Sequence, residues 1–209
     1  MIHGVIFDFR NVIATFDNRK FTKALTSYNG KNEEELYHTI SESEIPKLFE
    51  VGLIDSDEFY SSIIGLTHSN ISKEEFLEIY VKDKFTPIQP TINILKSLRN
   101  DHFKIGLISN TNELDYEFGM RPILDANGIR FNSESLSFRI HTIKPDKKIY
   151  KHALEALDLR GDQCISVDSL EVYAFKAGQM GMKELHYDYK RTNLAKKLND
   201  ICSENFHYF

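Results

Sequence analysis

The sequence predicts an α/β fold, a Rossmann-like parallel-sheet core interrupted by an inserted α-helical segment. Two observations carry this. Short apolar runs alternate with helical patterns in the last 120 or so residues, as buried parallel strands and their crossover helices do. Residues 15 to 87 break that rhythm and read as helices alone. The expected boundaries are therefore 1–14 and 88–209 for the core and 15–87 for the helical insertion.

The elements follow in order. Val5-Ile6-Phe7 is a continuous apolar run ending at Asp8, the pattern of a strand buried on both faces. In the insertion, Ser56 stands where a helix cap belongs, ahead of Phe59, Ile63 and Leu66. Ser72 and Glu75 form a capping box before Phe76, Ile79 and Tyr80. Pro87 and Pro90 close the segment. Thr91 to Leu98 repeats apolar residues at helical spacing. Ile105 to Ile108 is a second strand, and Lys147 to Leu157 a second core helix. Cys164 to Val167 and the weaker Glu184 to Tyr187 complete the strands. Thr192 to Ile201 predicts a last helix.

Composition narrows the function. The chain has 209 residues, 41% of them hydrophobic, and a net charge of −5. No basic stripe argues for a nucleic-acid partner, and no apolar run reaches the ~20 residues that span a bilayer. The chain opens directly on a strand-like run, so a cytoplasmic location is expected. The two cysteines, Cys164 and Cys202, belong to no CxxC or Cys/His cluster, and none of the eight histidines has a metal-ligand spacing.

The trusted strands end in polar groups. Asp8 ends the first, Ser109-Asn110-Thr111-Asn112 the second, and Asp168-Ser169 the third, with Lys144-Pro145-Asp146 just before a helix. In parallel sheets such ends converge on one ligand site. Two carboxylates, a hydroxyl and amide pair and a lysine suit transfer of a dianionic group. A carboxylate attacks, a divalent cation neutralises charge, and the lysine and hydroxyl hold phosphoryl oxygens.

Four stretches, "FDFRNVI", "LISNTN", "IKPDKKIY" and "SVDSLEVYAFKAGQMGM", resemble in order the four motifs of the haloacid dehalogenase (HAD) superfamily of hydrolases and phosphatases. The first three are most similar to the branch of glucose-1-phosphate phosphatases and the N-terminal phosphatase domains of epoxide hydrolases. The resemblance implies that 15–87 is a helical cap. It implies Asp8 as nucleophile, with Ser109 and Asn110 beside the phosphoryl group and Lys144 bridging nucleophile and phosphoryl oxygens. It also implies a magnesium ion on Asp8, the backbone carbonyl of Arg10 and Asp168, and a small phosphorylated metabolite or other anion as ligand.

Three departures from the family pattern bear on activity. Position 10, two after the nucleophile, carries arginine where the family's phosphatases usually place an aspartate as general acid and base, and where the branch resembled also has glycine. Arginine stays protonated and cannot cycle a proton. The last motif reads Asp168-Ser169 rather than a pair of acids, and Tyr173 stands where an Asp or Asn belongs. A phosphomonoesterase with weak turnover and weakened magnesium binding is the leading expectation, and a binding or regulatory pseudo-phosphatase the alternative. A true dehalogenase fits less well, because "DFRNV" does not match that group's first motif. Asp17 reads as a solvated loop residue. Arg10, placed by strand alternation on the same face as Asp8, is expected to pair with Asp8 or Asp168 as a built-in cation, the alternative being that it points out of the pocket and only its carbonyl matters.

Overall fold

In a computed structural model, which describes residues 1–203, the chain forms a five-stranded parallel sheet with helices on both faces. The strands are β1 (Gly4–Phe7), β4 (Lys104–Ser109), β5 (Ser133–Leu136), β6 (Cys164–Asp168) and β7 (Lys183–His186), in the order β5-β4-β1-β6-β7. The central strand, β1, lies between β4 and β6, with Val5 opposite Ile105 and Ile165. Side chains alternate across it. Val5 and Phe7 face helices α6 (Gln89–Asn100), α8 (Arg121–Ala126) and α12 (Leu194–Ser203), packing with Leu95, Leu124 and Leu198. Ile6 faces the other way, towards α10 (Lys147–Leu157) and α11 (Glu171–Gln179), packing with Ile149, Ala153 and Ala177. Burial on both faces is why this strand reads as unbroken apolar sequence.

Between β1 and α6 the chain leaves the sheet. A two-stranded antiparallel ribbon, β2 (Ala14–Phe16) with β3 (Phe85–Pro87), forms the stem, Thr15 opposite Thr86. It carries helices α1 (Arg19–Leu25), α2 (Glu33–Ser41), α3 (Ile45–Val51), α4 (Ser56–Thr67) and α5 (Lys73–Val81). These close around their own cluster of Phe21, Phe49, Phe59, Ile63, Phe76 and Tyr80, in which Phe49 and Phe59 stack at 4.3 Å. Leu114, which follows β4, inserts into the same cluster and so roots the helical segment in the α/β layer.

The expectation of helices alone over 15–87 is thus corrected at both ends by the ribbon. Two further differences are local. The cap of α4 is Asp55, whose carboxylate accepts from the amides of Asp57 and Glu58 while the Glu58 side chain returns to the Asp55 amide. Ser56 is the first helical residue. The edge strand β5, "SESL", escaped the apolar-run criterion because its buried Ser135 is satisfied by a hydrogen bond with the His152 ring, at 2.8 Å. The capping box at Ser72 and Glu75 is present as expected.

The helical segment touches the core layer again where α3 ends. Gly52 has φ of +73°, and a Cβ there would lie 2.2 Å from the Phe138 carbonyl oxygen in α9 (Ser137–Ile140). Gly52→Ala is therefore expected to lower stability by more than ~1 kcal/mol. Gly65→Ala, in the exposed interior of α4 with nothing near its Cβ, should raise it by ~0.5–1 kcal/mol. Urea midpoints of the two variants against the parent check both signs.

Candidate functional site

The carboxyl ends of β1, β4 and β6 bring Asp8, Ser109 and Asp168 to one edge of the sheet. The Lys144 ammonium is inserted between the two acids, 3.0 Å from Asp8 Oδ1 and 2.6 Å from Asp168 Oδ2. Asn110 places it. Its amide oxygen accepts from the Lys144 backbone N–H at 2.7 Å, and its Nδ2 donates to the Lys144 carbonyl at 3.1 Å. The Tyr173 ring lies 4.9 Å from the ammonium, and Asn110 Nδ2 reaches the Tyr173 hydroxyl at 3.5 Å. Leu170 N–H donates to Asp168 Oδ1, and the Ser169 hydroxyl donates to the Arg10 carbonyl at 3.0 Å. No described residue donates to Asp8 Oδ2.

These groups surround a cavity of about 240 Å³ lined by Asp8, Arg10, Asn110, Lys144 and Tyr173 of the α/β layer and by Glu50 of the helical segment, among others. The expectation that Ser109 and Asp168 line it as well is corrected. Ser109 is fully buried, its Oγ without a partner, and Asp168 is covered by Lys144 and the Leu170 amide. Burial lowers the Lys144 ammonium's proton affinity, but Asp8 and Asp168 outweigh it and the net shift is upward. Burial, helped by Asp8 and opposed by Lys144, pushes the Asp168 carboxyl up to about 6. Burial likewise raises Tyr173, which therefore stays a hydroxyl donor at neutral pH.

Arg10 does not stand where strand alternation puts it. β1 ends at Phe7, and the next residues turn sharply: the Ile13 N–H returns to the Phe9 carbonyl, and Asn11 takes φ of +59°. The period-2 rule ends with the strand. The guanidinium pairs with neither Asp8 nor Asp168. It donates from Nη1 to Glu50 at 2.6 Å and from Nη2 to Asp115 at 2.8 Å, and stacks on Phe16 at 4.1 Å. The expected built-in cation between the two acids is the Lys144 ammonium.

Asp115 is the buried centre of a second charge group. Its Oδ1 accepts from Lys84 at 2.7 Å, and its Oδ2 from Arg10 and from Asn112 Nδ2 at 3.2 Å. Asn112 also caps the short helix α7 (Glu113–Asp115) by accepting from the Asp115 N–H, and Lys84 lies 3.4 Å from the centre of the Tyr80 ring. Glu50, Lys84 and Asp115 had no part in the sequence expectations. Asn112-x-x-Asp115 is the one signal that a capping search could have found; Glu50 sits in "PKLFEVG" and Lys84 in "VKDKFTP", with no motif around either.

The site can be set against known proteins. A family model for haloacid dehalogenase-like hydrolases matches residues 2–170. The chain belongs to the haloacid dehalogenase-like hydrolase family. A HAD family enzyme from Bacteroides thetaiotaomicron superposes with a TM-score of 0.81 at 18% identity, over 94% of this chain and 98% of that one. The same enzyme in complex with magnesium and inorganic phosphate gives a TM-score of 0.79, again at 18% identity, over 94% of this chain and 99% of that one. A predicted HAD-like family hydrolase from Porphyromonas gingivalis gives 0.79 at 17% identity, over 96% and 98% of the two chains. L-2-haloacid dehalogenase from Xanthobacter autotrophicus gives 0.63 at 14% identity, over all of this chain and 85% of its own. No curated protein matches the chain. These likenesses establish the HAD fold. Among the described residues no helix is long and apolar enough to cross a membrane.

Among the described residues no three His, Cys, Asp or Glu side chains gather as a metal cage. The oxygens at the strand ends still have the chemistry a hard cation takes: two carboxylates and the Arg10 carbonyl. Magnesium is usually held by one or two carboxylates plus substrate phosphates and water; Asp8 and the Arg10 carbonyl can supply such donors, and Asp168 joins them where it gives up the Lys144 ammonium.

Asp115 supplies a pH test. Burial pushes its carboxyl up, but Lys84 and Arg10 outweigh that, and it ends below the ordinary carboxylate range. The folded chain thus binds this proton less readily than the unfolded chain does. The resulting stability is complete above ~3.9, the unfolded value, and is lost as pH falls through the lower native value. Asp115→Asn should cost ~3–5 kcal/mol at pH 7, as breaking a buried pair does. Its urea midpoint should converge on that of the parent below about pH 4. Parallel curves down to pH 2 would show that Asp115 carries no such charge.

Proposed function

We propose that this protein is a slow phosphomonoester hydrolase that uses Asp8 as nucleophile, with residues 15–87 as a helical cap over the cavity. The observation that carries the reading is the Lys144 ammonium 3.0 Å from one Asp8 oxygen, while the other Asp8 oxygen has no protein partner in a small cavity. Lys144 and Tyr173 offer donors to the phosphoryl oxygens, and the Asn110 side chain, held on the Lys144 backbone, fixes the lysine. Asp8 Oδ2 attacks phosphorus, the bond to the leaving oxygen breaks, and the leaving alkoxide takes its proton from water. A second water then splits the aspartyl-phosphate. A magnesium ion held by Asp8, the Arg10 carbonyl and Asp168 would neutralise phosphoryl charge when bound.

The missing part is a proton carrier at position 10. Arg10 is fixed to Glu50 and Asp115, and its proton affinity is raised by those acids beyond what burial takes away. A general acid or base contributes ~10²–10⁴ in rate, so turnover falls well short of the usual ~1–10³ per second. The same tie supports the second reading, a pseudo-phosphatase that binds small anions and does not turn over.

Hydrolysis of an aryl phosphate in magnesium, followed for the parent chain, Asp8→Asn and Arg10→Asp, separates these readings. The first predicts a slow rate in the parent that Asp8→Asn abolishes. Undetectable release with retained phosphate binding favours the second. Arg10→Asp should not restore a fast rate, because a new carboxylate there meets Glu50 and Asp115 and loses the cation between them. A fast Arg10→Asp enzyme would show that this ion group does not govern position 10.

A further inference from the structure

The cavity has a second ionisable wall. Glu50 of α3 lines it, and the residue is held at two points: the Ser137 hydroxyl donates to its backbone carbonyl at 2.6 Å, and Arg10 Nη1 donates to Oε1. Its Oε2 takes no donor from the described residues. Phe16, Leu170 and Tyr173 supply apolar surface beside it. Arg10 offers little free charge to a ligand, because both terminal nitrogens already sit on carboxylates and its Nε, which has no partner, is buried. Around the cavity the four carboxylates of Asp8, Asp168, Glu50 and Asp115 face the three cations Lys144, Arg10 and Lys84. A phosphoryl dianion makes this surplus of negative charge larger. The volume, about 240 Å³, is below the ~300–1,000 Å³ of ordinary small-molecule sites.

We infer that Glu50 is a specificity-determining residue that selects small phosphomonoesters whose leaving group presents a hydroxyl or ammonium donor, and rejects those that carry a second anion. This rests on the phosphomonoesterase reading and deepens it. Phosphate is held at the sheet edge by Lys144. The leaving group extends along Phe16 and Leu170, and its donor meets the open oxygen of Glu50. A carboxylate in that place meets like charge, and the two cations lining the cavity, Lys144 and Arg10, are already paired with acids.

Four two-carbon esters isolate the terminal group: phosphoethanolamine, 2-hydroxyethyl phosphate, ethyl phosphate and phosphoglycolate. Their binding, with inorganic phosphate as reference, is measured by calorimetry in magnesium on the full chain carrying Asp8→Asn, so that no ester is consumed. Phosphoethanolamine and 2-hydroxyethyl phosphate should bind about tenfold more tightly than ethyl phosphate, the size of one charge-assisted hydrogen bond, and phosphoglycolate should bind most weakly. Adding Glu50→Gln, which keeps an acceptor for Arg10, should remove most of the ammonium preference and of the phosphoglycolate penalty. A purely structural Glu50 would weaken all four alike. Equal binding of the four esters, or ratios unmoved by Glu50→Gln, overturns the inference while phosphate binding stands. Failure of inorganic phosphate itself to bind overturns the phosphomonoesterase reading together with it.

Discussion

A carboxylate with one per cent of its side chain exposed cannot stay ionised without partners, and Asp115 has two cations besides Asn112. Lys84 comes from the end of the helical segment and Arg10 from the loop after β1, so one buried acid ties both sequence-distant pieces to the strand β4 that precedes it. Arg10 extends the tie to Glu50 on α3. Removing Asp115 leaves the fully buried Lys84 ammonium without its acid, and the penalty for a stranded buried charge exceeds what the intact group contributes as net stability. The position of the helical segment over the sheet edge follows from this constraint together with Leu114, which enters the segment's aromatic cluster from the same turn.

The constraint also sets the chemistry. On the proposed reading a proton carrier belongs two residues after Asp8, and here that place is given to a permanent cation engaged elsewhere. The charge between Asp8 and Asp168 is supplied by Lys144, which Asn110 grips through both its backbone groups. On the phosphomonoesterase reading, Lys144 then serves both as the cation between the two acids and as a donor to phosphate, and proton transfer falls to water. Glu50 gains an open oxygen towards the cavity because Arg10 takes only one of its two.

What the sequence made legible follows from local physics. The double-sided burial of β1, β4 and β6 writes them as apolar runs, and of the polar residues ending those runs Asp8 and Asp168 meet on the Lys144 ammonium. The edge strand β5 was hidden because polar residues fill it, its buried Ser135 being satisfied by the His152 ring. The direction of Arg10 was hidden because alternation was carried past Phe7, into a turn where Asn11 is left-handed. Glu50 and Asp115 lie 40 and 105 residues from Arg10, so their pairing is a property of the folded chain that no local pattern encodes.

Arg10 joins the helical segment to the core and makes no pair with Asp8. A double-mutant cycle on Arg10→Gln and Glu50→Gln, read as urea unfolding free energies in low salt, tests it most directly. The account predicts a coupling of at least ~1 kcal/mol, within the ~0.5–3 kcal/mol seen for residues in one ion network. Additivity within ~0.3 kcal/mol would mean that the two side chains do not hold each other, and would contradict the account.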